Sequence, residues 1–275
     1  MTDERNPQAE QMGDESMVRN LAYQAQAIWP QEHGLFARYD LPSAPRILDL
    51  GCGTGEITRR LAEHYPQARI TGVDILEHVL DIARRNSLAQ TYRVDYQVGD
   101  AFALAMPDAE FDLVVCRHMS QAIPDFPLAL DEMSRVLKPG GWLHLLSEDY
   151  GMLRMPHSAR DPDGFWMGTA LPFLESIGCD GRVGRHSPTL LQQRGYADVA
   201  ADYVIVDTLR VPREMFAGIM SAWRDGYSEV LATASGRTVP DVRANFDAII
   251  HAIETPPQYA VWHVPVISGR RAMKL

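Results

Sequence analysis

At 275 residues, with 46% hydrophobic and 23% charged side chains, the chain can bury a full core and has the balance of a globular protein. Its net charge of -10 argues against broad electrostatic binding to nucleic acid or an anionic membrane, so a small-molecule partner fits better. Three scattered cysteines, Cys52, Cys116 and Cys179, provide neither a disulfide framework nor paired zinc spacing. No metal is expected, and a reducing cytoplasm is the simplest home. The polar, acidic opening lacks the plan of a secretory signal, and no apolar run nears the roughly 18 residues that a bilayer crossing needs.

In chain order, the first dozen residues read as disordered. "DESMVRNLAYQAQAIW" (14–29) predicts a helix capped by Asp14 or Ser16, with Val18, Leu21, Ala25 and Ile28 at helical spacing. Pro42 and Pro45 mark a linker, so residues 1–43 read as an N-terminal helical lid and 44–275 as the main domain. Strands then alternate with helices: "RILDL", "GEITRRLAEHY", "RITGVDI", "EHVLDIARRNSLA", "DYQVGD", "FDLVVCRH" and "PLALDEMSRVL". A "KPGG" turn and "GWLHLLSEDY" (141–150) follow. Strands separated by helices of about ten residues imply a mainly parallel sheet covered on both faces, an α/β architecture. Past Tyr150 the pattern changes to a loop (151–164), helices in 165–196 and two strand segments, 198–209 and 259–272, that bracket helices in 212–254. The last two strands suit an antiparallel hairpin at the sheet edge with a helical insertion. Helical cap elements are thus expected over about 151–195 and 212–255.

The most informative stretch is residues 46–75. Gly51, Gly53 and Gly55 follow an apolar strand, and Asp74 closes the next strand about twenty residues on. Glycines there let backbone approach a ligand, and an acidic residue at that place suits a ribose diol. The G-x-G-x-G spacing departs from the G-x-G-x-x-G of dinucleotide enzymes, which disfavours a nicotinamide-dependent oxidoreductase. Asp49, Asp74, Asp100 and His118 each fall at or near a strand's carboxyl end, where open α/β sheets bind ligands.

"LDLGCGTG", Asp74, "GDAF" (99–102) and "LKPGG" (137–141) together resemble class I S-adenosylmethionine-dependent methyltransferases, in particular the small-molecule branch of the ubiquinone and menaquinone methyltransferases. The resemblance covers roughly residues 44–150. It implies a Rossmann-like seven-stranded sheet with an antiparallel last strand, S-adenosylmethionine as cofactor and S-adenosylhomocysteine as product. By that resemblance Asp49 and the backbone from Gly51 through Gly53 to Gly55 hold the amino-acid end. Asp74 binds the ribose and Ile75 packs on adenine. Asp100 accepts from the adenine amino group beside Ala101 and Phe102, and Arg117 and His118 sit near the sulfonium.

The acceptor side is less explicit. His118 is the candidate general base, being titratable near neutrality and next to the expected methyl. Glu148 and Tyr150 end the fifth strand on the same rim, where an acidic group could orient an amine or ring N–H. Trp29, Trp166 and Trp223, with Tyr23, Phe165, Phe216 and Tyr227, could close an aromatic lid, with Tyr23 reaching the cofactor carboxylate. His157 and His263 read as structural, and Cys116 as a buried thiol. The expected function is methyl transfer to an O, N or C atom of a small aromatic or apolar metabolite, as in secondary metabolism. Alternatives are intramolecular cyclisation of the cofactor or a non-catalytic cofactor-binding module. No nucleic-acid or membrane partner is expected, and the chain would be a monomer or homodimer.

Overall fold

The computed structural model describes residues 5–88, 94–156 and 160–273. The first strands and helices follow the expected alternation: β1 (Arg46–Leu50), α3 (Glu56–His64), β2 (Arg69–Asp74), α4 (Glu77–Ser87), β3 (Val94–Val98), β4 (Phe111–Arg117), α5 (Phe126–Val136) and β5 (Leu137–Leu146). They are preceded by a short helix α1 (Ala9–Gly13) and by α2 (Glu15–Glu32). Central strands are apolar along their length because both faces are covered; in β4, Leu113, Val114 and Val115 are all fully buried. The helices are amphipathic instead: α5 turns Ala129, Leu130, Met133 and Val136 inward at helical spacing.

The sheet has eight strands among the described residues, in the order β3-β2-β1-β4-β5-β8-β6, with β7 (Ala197–Asp207) pairing β8 (Val261–Arg270). β1 to β5 pair in parallel, whereas β8 is antiparallel to both β5 and β7. The mainly parallel sheet with an antiparallel last strand is therefore as expected, with two refinements. The last strand lies between β5 and β7 rather than at the edge. An additional two-residue strand, β6 (Leu153–Arg154), pairs the start of β8 from within the segment read as loop. Along the exposed margin of β7, the Gln31 side chain both donates to and accepts from the backbone of Ile205, which blunts that part of the edge.

The helical additions pack on one face. α6 (Pro162–Phe165), a π-helical turn (Trp166–Ala170) and α7 (Leu171–Ser176) join α9 (Arg213–Ser235), α10 (Val239–Glu254) and α2 in one hydrophobic core. The opposite face of the sheet is covered by α5 and α8 (Val183–Gln193). His157 lies outside the described residues.

Two readings of the N-terminal segment change. Residues 5–12 are ordered against the rest of the chain: buried Gln8 donates from Nε2 to the Ala122 carbonyl at 2.9 Å and accepts from the Tyr227 hydroxyl at 2.9 Å. Helix α2, capped by Asp14, is also more than a cover, because Ala25, Ala27 and Ile28 are core residues. At its last turn, fully buried Glu32 meets Arg117 of β4 through Nε at 2.8 Å and Nη2 at 2.7 Å. Its Oε1 also faces His144 Nε2 at 2.9 Å, while His144 Nδ1 lies 2.6 Å from the Tyr39 hydroxyl. The His144 ring thus bridges the Tyr39 hydroxyl and the Glu32 carboxylate through its two nitrogens. Burial alone would raise the Glu32 carboxyl, but the Arg117 charge and the His144 hydrogen bond win and hold it at about 2.

The folded-state value lies below the unfolded one, so this pair contributes stability above the ordinary glutamate range and loses it as pH falls toward 2. Removing one partner leaves a buried charge uncompensated. Glu32→Ala should therefore lower unfolding free energy at pH 7 by about 3–5 kcal/mol in urea titrations. The double variant Glu32→Leu/Arg117→Met should recover much of that loss; a double variant no more stable than Glu32→Ala would show that the pair's charge is not the issue.

Candidate active site

β1 ends in the turn Gly51-Cys52-Gly53-Thr54-Gly55 before α3. Gly51 (φ +74°) and Gly55 (φ +75°) occupy left-handed conformations, and a Cβ on Gly55 would fall 2.4 Å from the Tyr96 hydroxyl. No side chain can stand there, so the loop stays thin at the mouth of the sheet. Asp74, at the end of β2, ties this loop to its own strand. Its Oδ2 accepts from Gly53 N–H at 2.9 Å and its Oδ1 from Leu76 N–H at 3.0 Å.

A cavity with about 840 Å³ of empty space opens over these strand ends. Gly51, Gly53, Asp74, Ile75, Asp100, Ala101, Phe102 and Arg117 all line it, so eight of the residues expected around a cofactor converge. Asp49 lies in an adjoining recess with Thr54 and Arg117. Its buried carboxylate accepts from Thr58 Oγ1 at 2.6 Å and has no ion pair among the described residues. Burial pushes its pKa up to about 6, against the smaller opposing effects of Thr58 and Arg117. A buried acid without a cation suits a cationic ligand group. The Arg117 guanidinium itself is turned to Glu32 and walls the cavity from below.

A second cavity, about 640 Å³, adjoins the first and shares Met12, Leu21, His118 and Ala122 with it. His118 follows β4 in a left-handed conformation (φ +55°), with its N–H on the Leu146 carbonyl at 3.0 Å and its carbonyl accepting from Gln121 at 2.7 Å. That bend directs the imidazole at Glu148, two residues past β5: His118 Nδ1 lies 2.6 Å from Glu148 Oε1. With an ionised carboxylate as acceptor, Nδ1 carries the proton, which leaves Nε2 as a free lone pair. His118 Nε2 and Glu148 Oε2 are buried and have no hydrogen-bond partner among the described residues.

Around this pair the cavity is aromatic. Trp166 and Trp223 stack with centroids 5.2 Å apart, and Tyr150 meets both edge-on at 5.4 and 5.7 Å. Burial, then the neighbouring Glu148 carboxylate, keeps the Tyr150 hydroxyl protonated far above neutrality.

The chain matches the family model described as "Methyltransferase domain" over residues 47–141. It is 41% identical over 104 residues to the demethylmenaquinone methyltransferase of Deinococcus radiodurans, covering 38% of this chain and 43% of that protein. Against the trans-aconitate 2-methyltransferase of Variovorax paradoxus, identity is 31% over 170 residues, 61% of this chain and 60% of that protein. The chain thus spans under half of the first relative's length. A solved phosphoethanolamine N-methyltransferase 2 of Haemonchus contortus, in complex with S-adenosylmethionine, superposes with a TM-score of 0.60 at 17% identity, covering 96% of this chain and 60% of that one. Residues 47–141 are thus similar to a methyltransferase domain, and the fold as a whole is that of solved methyltransferases.

The residues expected around a cofactor meet at the first cavity. The thin glycine loop, the uncompensated Asp49 and the acidic Asp74 fit a ligand with an ammonium group and a ribose. Of the acceptor-side expectations, Glu148, Tyr150, Trp166 and Trp223 meet His118 in the second cavity. Two do not. Tyr23 lies against Gly218 of α9, where a Cβ would come within 2.8 Å of its ring, and Trp29 joins Phe36 and His64 at 5.6 and 6.4 Å. Neither lines a described cavity of the site. His263 stands in β8 opposite Ile205, and Cys116 is a buried thiol pushed well up by burial.

Sequence reasoning missed Arg5, Gln8, Asn20 and Gln24. Arg5 lies 3.1 Å from Asp100 Oδ2 and 5.7 Å from the Phe102 ring centroid, at the rim where adenine was expected. The signal that could have found Asn20 and Gln24 is their i, i+4 spacing within an otherwise apolar helix face.

A ligand ammonium at Asp49 favours its ionised form, so binding and deprotonation are linked. Below the folded-state value of about 6, binding must first remove that proton. Calorimetry with S-adenosylhomocysteine should show affinity falling toward about tenfold per pH unit between pH 6 and 4.5, and a much flatter dependence in Asp49→Asn. Equal pH dependence in both proteins would remove Asp49 from the ligand's amino end.

Proposed function

We infer that this chain transfers a methyl group from S-adenosylmethionine to a hydroxyl oxygen of a small, largely apolar aromatic metabolite. The observation that carries this reading is the Glu148–His118 pair: His118 lines both the aromatic cavity and the adjoining one, and its buried Nε2 has no hydrogen-bond partner among the described residues. The bound cofactor supplies an electrophilic methyl group that needs little further activation. The residues' work is alignment, exclusion of water and removal of one proton. His118 Nε2 takes the proton of the acceptor hydroxyl as the oxygen attacks. Glu148 holds the tautomer through Nδ1–H and stabilises the imidazolium. Trp166, Trp223 and Tyr150 fix a flat acceptor by their faces and edges.

The cavity also argues against an anionic acceptor. It contains Glu148 and no lysine or arginine among its lining residues, so a carboxylate-rich molecule would be repelled and unpaired there. A hydroxyl-bearing ring meets no such penalty.

His118→Ala should lower the rate of methyl transfer by about 10²- to 10⁴-fold. The working base is the neutral imidazole, so the wild-type rate rises with pH and then levels, and the alanine variant should lose that limb. Glu148→Gln should cost less, about 10- to 100-fold, with S-adenosylhomocysteine affinity preserved. The assay is transfer of labelled methyl to hydroxyl-bearing aryl compounds, read by mass spectrometry. Cofactor consumption without acceptor would point to cyclisation, and binding without turnover to a non-catalytic module.

The same reading assigns residues 5–13 a covering role, since Arg5, buried Gln8 and, from the helix α1 that buries no residue, Met12 face the two cavities. A chain beginning at Asp14 should melt within a few degrees of the full chain while losing about tenfold or more in turnover. Full turnover in that chain would rule out the cover.

A further inference from the structure

Helix α2 presents two polar side chains, Asn20 and Gln24, to the acceptor cavity one turn apart, and both are buried. Asparagine is a poor choice in a helix interior, because its amide competes for backbone hydrogen bonds. A buried amide oxygen without a partner also carries its full desolvation cost. Asn20 is 1% exposed, and its Oδ1 has no partner among the described residues. Neither helix formation nor apolar packing accounts for it. Across the same lining, the indole N–H of buried Trp166 is also without a partner. Proton transfer explains the free Nε2 of His118. It leaves these two unused.

We propose that Asn20 is a specificity-determining residue that binds a second hydrogen-bonding group of the acceptor, so that the cavity selects aryl compounds polar at two positions. One hydroxyl meets His118 Nε2, and a second hydroxyl donates to Asn20 Oδ1, with Trp166 N–H available to donate to the oxygen of the same group. This rests on the aryl-hydroxyl reading above. An amide both donates and accepts, which suits a neutral hydroxyl. The lack of cationic side chains in the lining excludes a carboxylate or phosphate in that role. A site built to hydrogen-bond a ligand group rejects the analogue that lacks it, because its own buried polar atoms are then left unpaired.

The test compares 2-naphthol with 2,6-dihydroxynaphthalene, bound to the full chain saturated with S-adenosylhomocysteine and read by quenching of tryptophan fluorescence. Wild type should bind the diol about tenfold more tightly, the effect of one well-placed buried hydrogen bond. In Asn20→Leu the preference should shrink to about twofold or less. Asn20→Ala, the better helix former, should do the same and covers the case in which leucine overpacks. No preference in wild type, or a preference retained in both variants, overturns the assignment and leaves Asn20 holding a water. If neither naphthol quenches, the aryl-pocket reading itself fails, and this inference falls with it.

Discussion

β4 and β5 run parallel with Arg117 opposite Leu146, and that register decides which side chains can meet beyond the strand ends. The His118 N–H continues the ladder by bonding to the Leu146 carbonyl, and the chain then bends through a left-handed residue. Glu148 leaves β5 two residues past the same point, so an imidazole and a carboxylate thirty positions apart arrive at 2.6 Å. Because strand side chains alternate, a slip of one residue would turn His118 and Glu148 to opposite faces. The apolar run Leu113–Val115, buried in the sheet, is what makes such a slip costly. A non-glycine residue with positive φ is itself strained, by about 1–3 kcal/mol, and persists only where the surroundings over-determine it. Here the strand ladder and the Gln121 side chain do so from both sides of the residue.

The buried carboxylates at this end of the sheet have different fates, and the difference tracks their partners. Glu32 has a guanidinium and an imidazole and stays ionised down to about pH 2. Asp74 is raised by burial but opposed by backbone N–H groups of its own turn and of the glycine loop. Asp49 has one hydroxyl and no direct cation, and its pKa rises to about 6. The gradient runs from a purely structural acid to one that lacks a charge partner within the protein. Ligand chemistry is expected at the unsatisfied end, because a protein gains nothing in stability by burying such a group.

How much of this was legible in the sequence follows from the range of the signals. The cofactor half is local: a strand, three glycines and a helix lie within residues 46–65, and Asp74 and Asp100 close the next strands. Rossmann-type topology places them together without further information. The acceptor half is assembled from segments far apart in sequence, such as Glu148, Trp166 and Trp223, so composition could nominate aromatics but not say which would meet. Tyr23 and Trp29 illustrate the failure. A helix buried on several sides offers no single face to choose, and α2 packs Tyr23 on α9 and Trp29 on Phe36 instead. The polar opening suggested disorder because it has few apolar residues. It is held by side-chain hydrogen bonds from Gln8, which periodicity does not report.

That same helix joins the two halves of the molecule, and its energetics decide what can move. Toward its end Ala27 and Ile28 are in the core, and Glu32 is locked to Arg117 in a fully buried ion pair. Withdrawing the whole of residues 1–43 would expose those side chains and separate that pair, at several kcal/mol for the charge alone. By contrast α1 buries no residue, and the Arg5–Asp100 ion pair is solvent-exposed, a contact type worth at most about 1 kcal/mol. Buried Gln8 adds two neutral hydrogen bonds worth about 1 kcal/mol each. Release of residues 5–13 therefore costs less than a swing of the entire N-terminal segment. Asn20 and Gln24 lie on the helix that Glu32 anchors. They stay on the anchored helix, so the groups proposed to read the acceptor would keep their places if residues 5–13 were released.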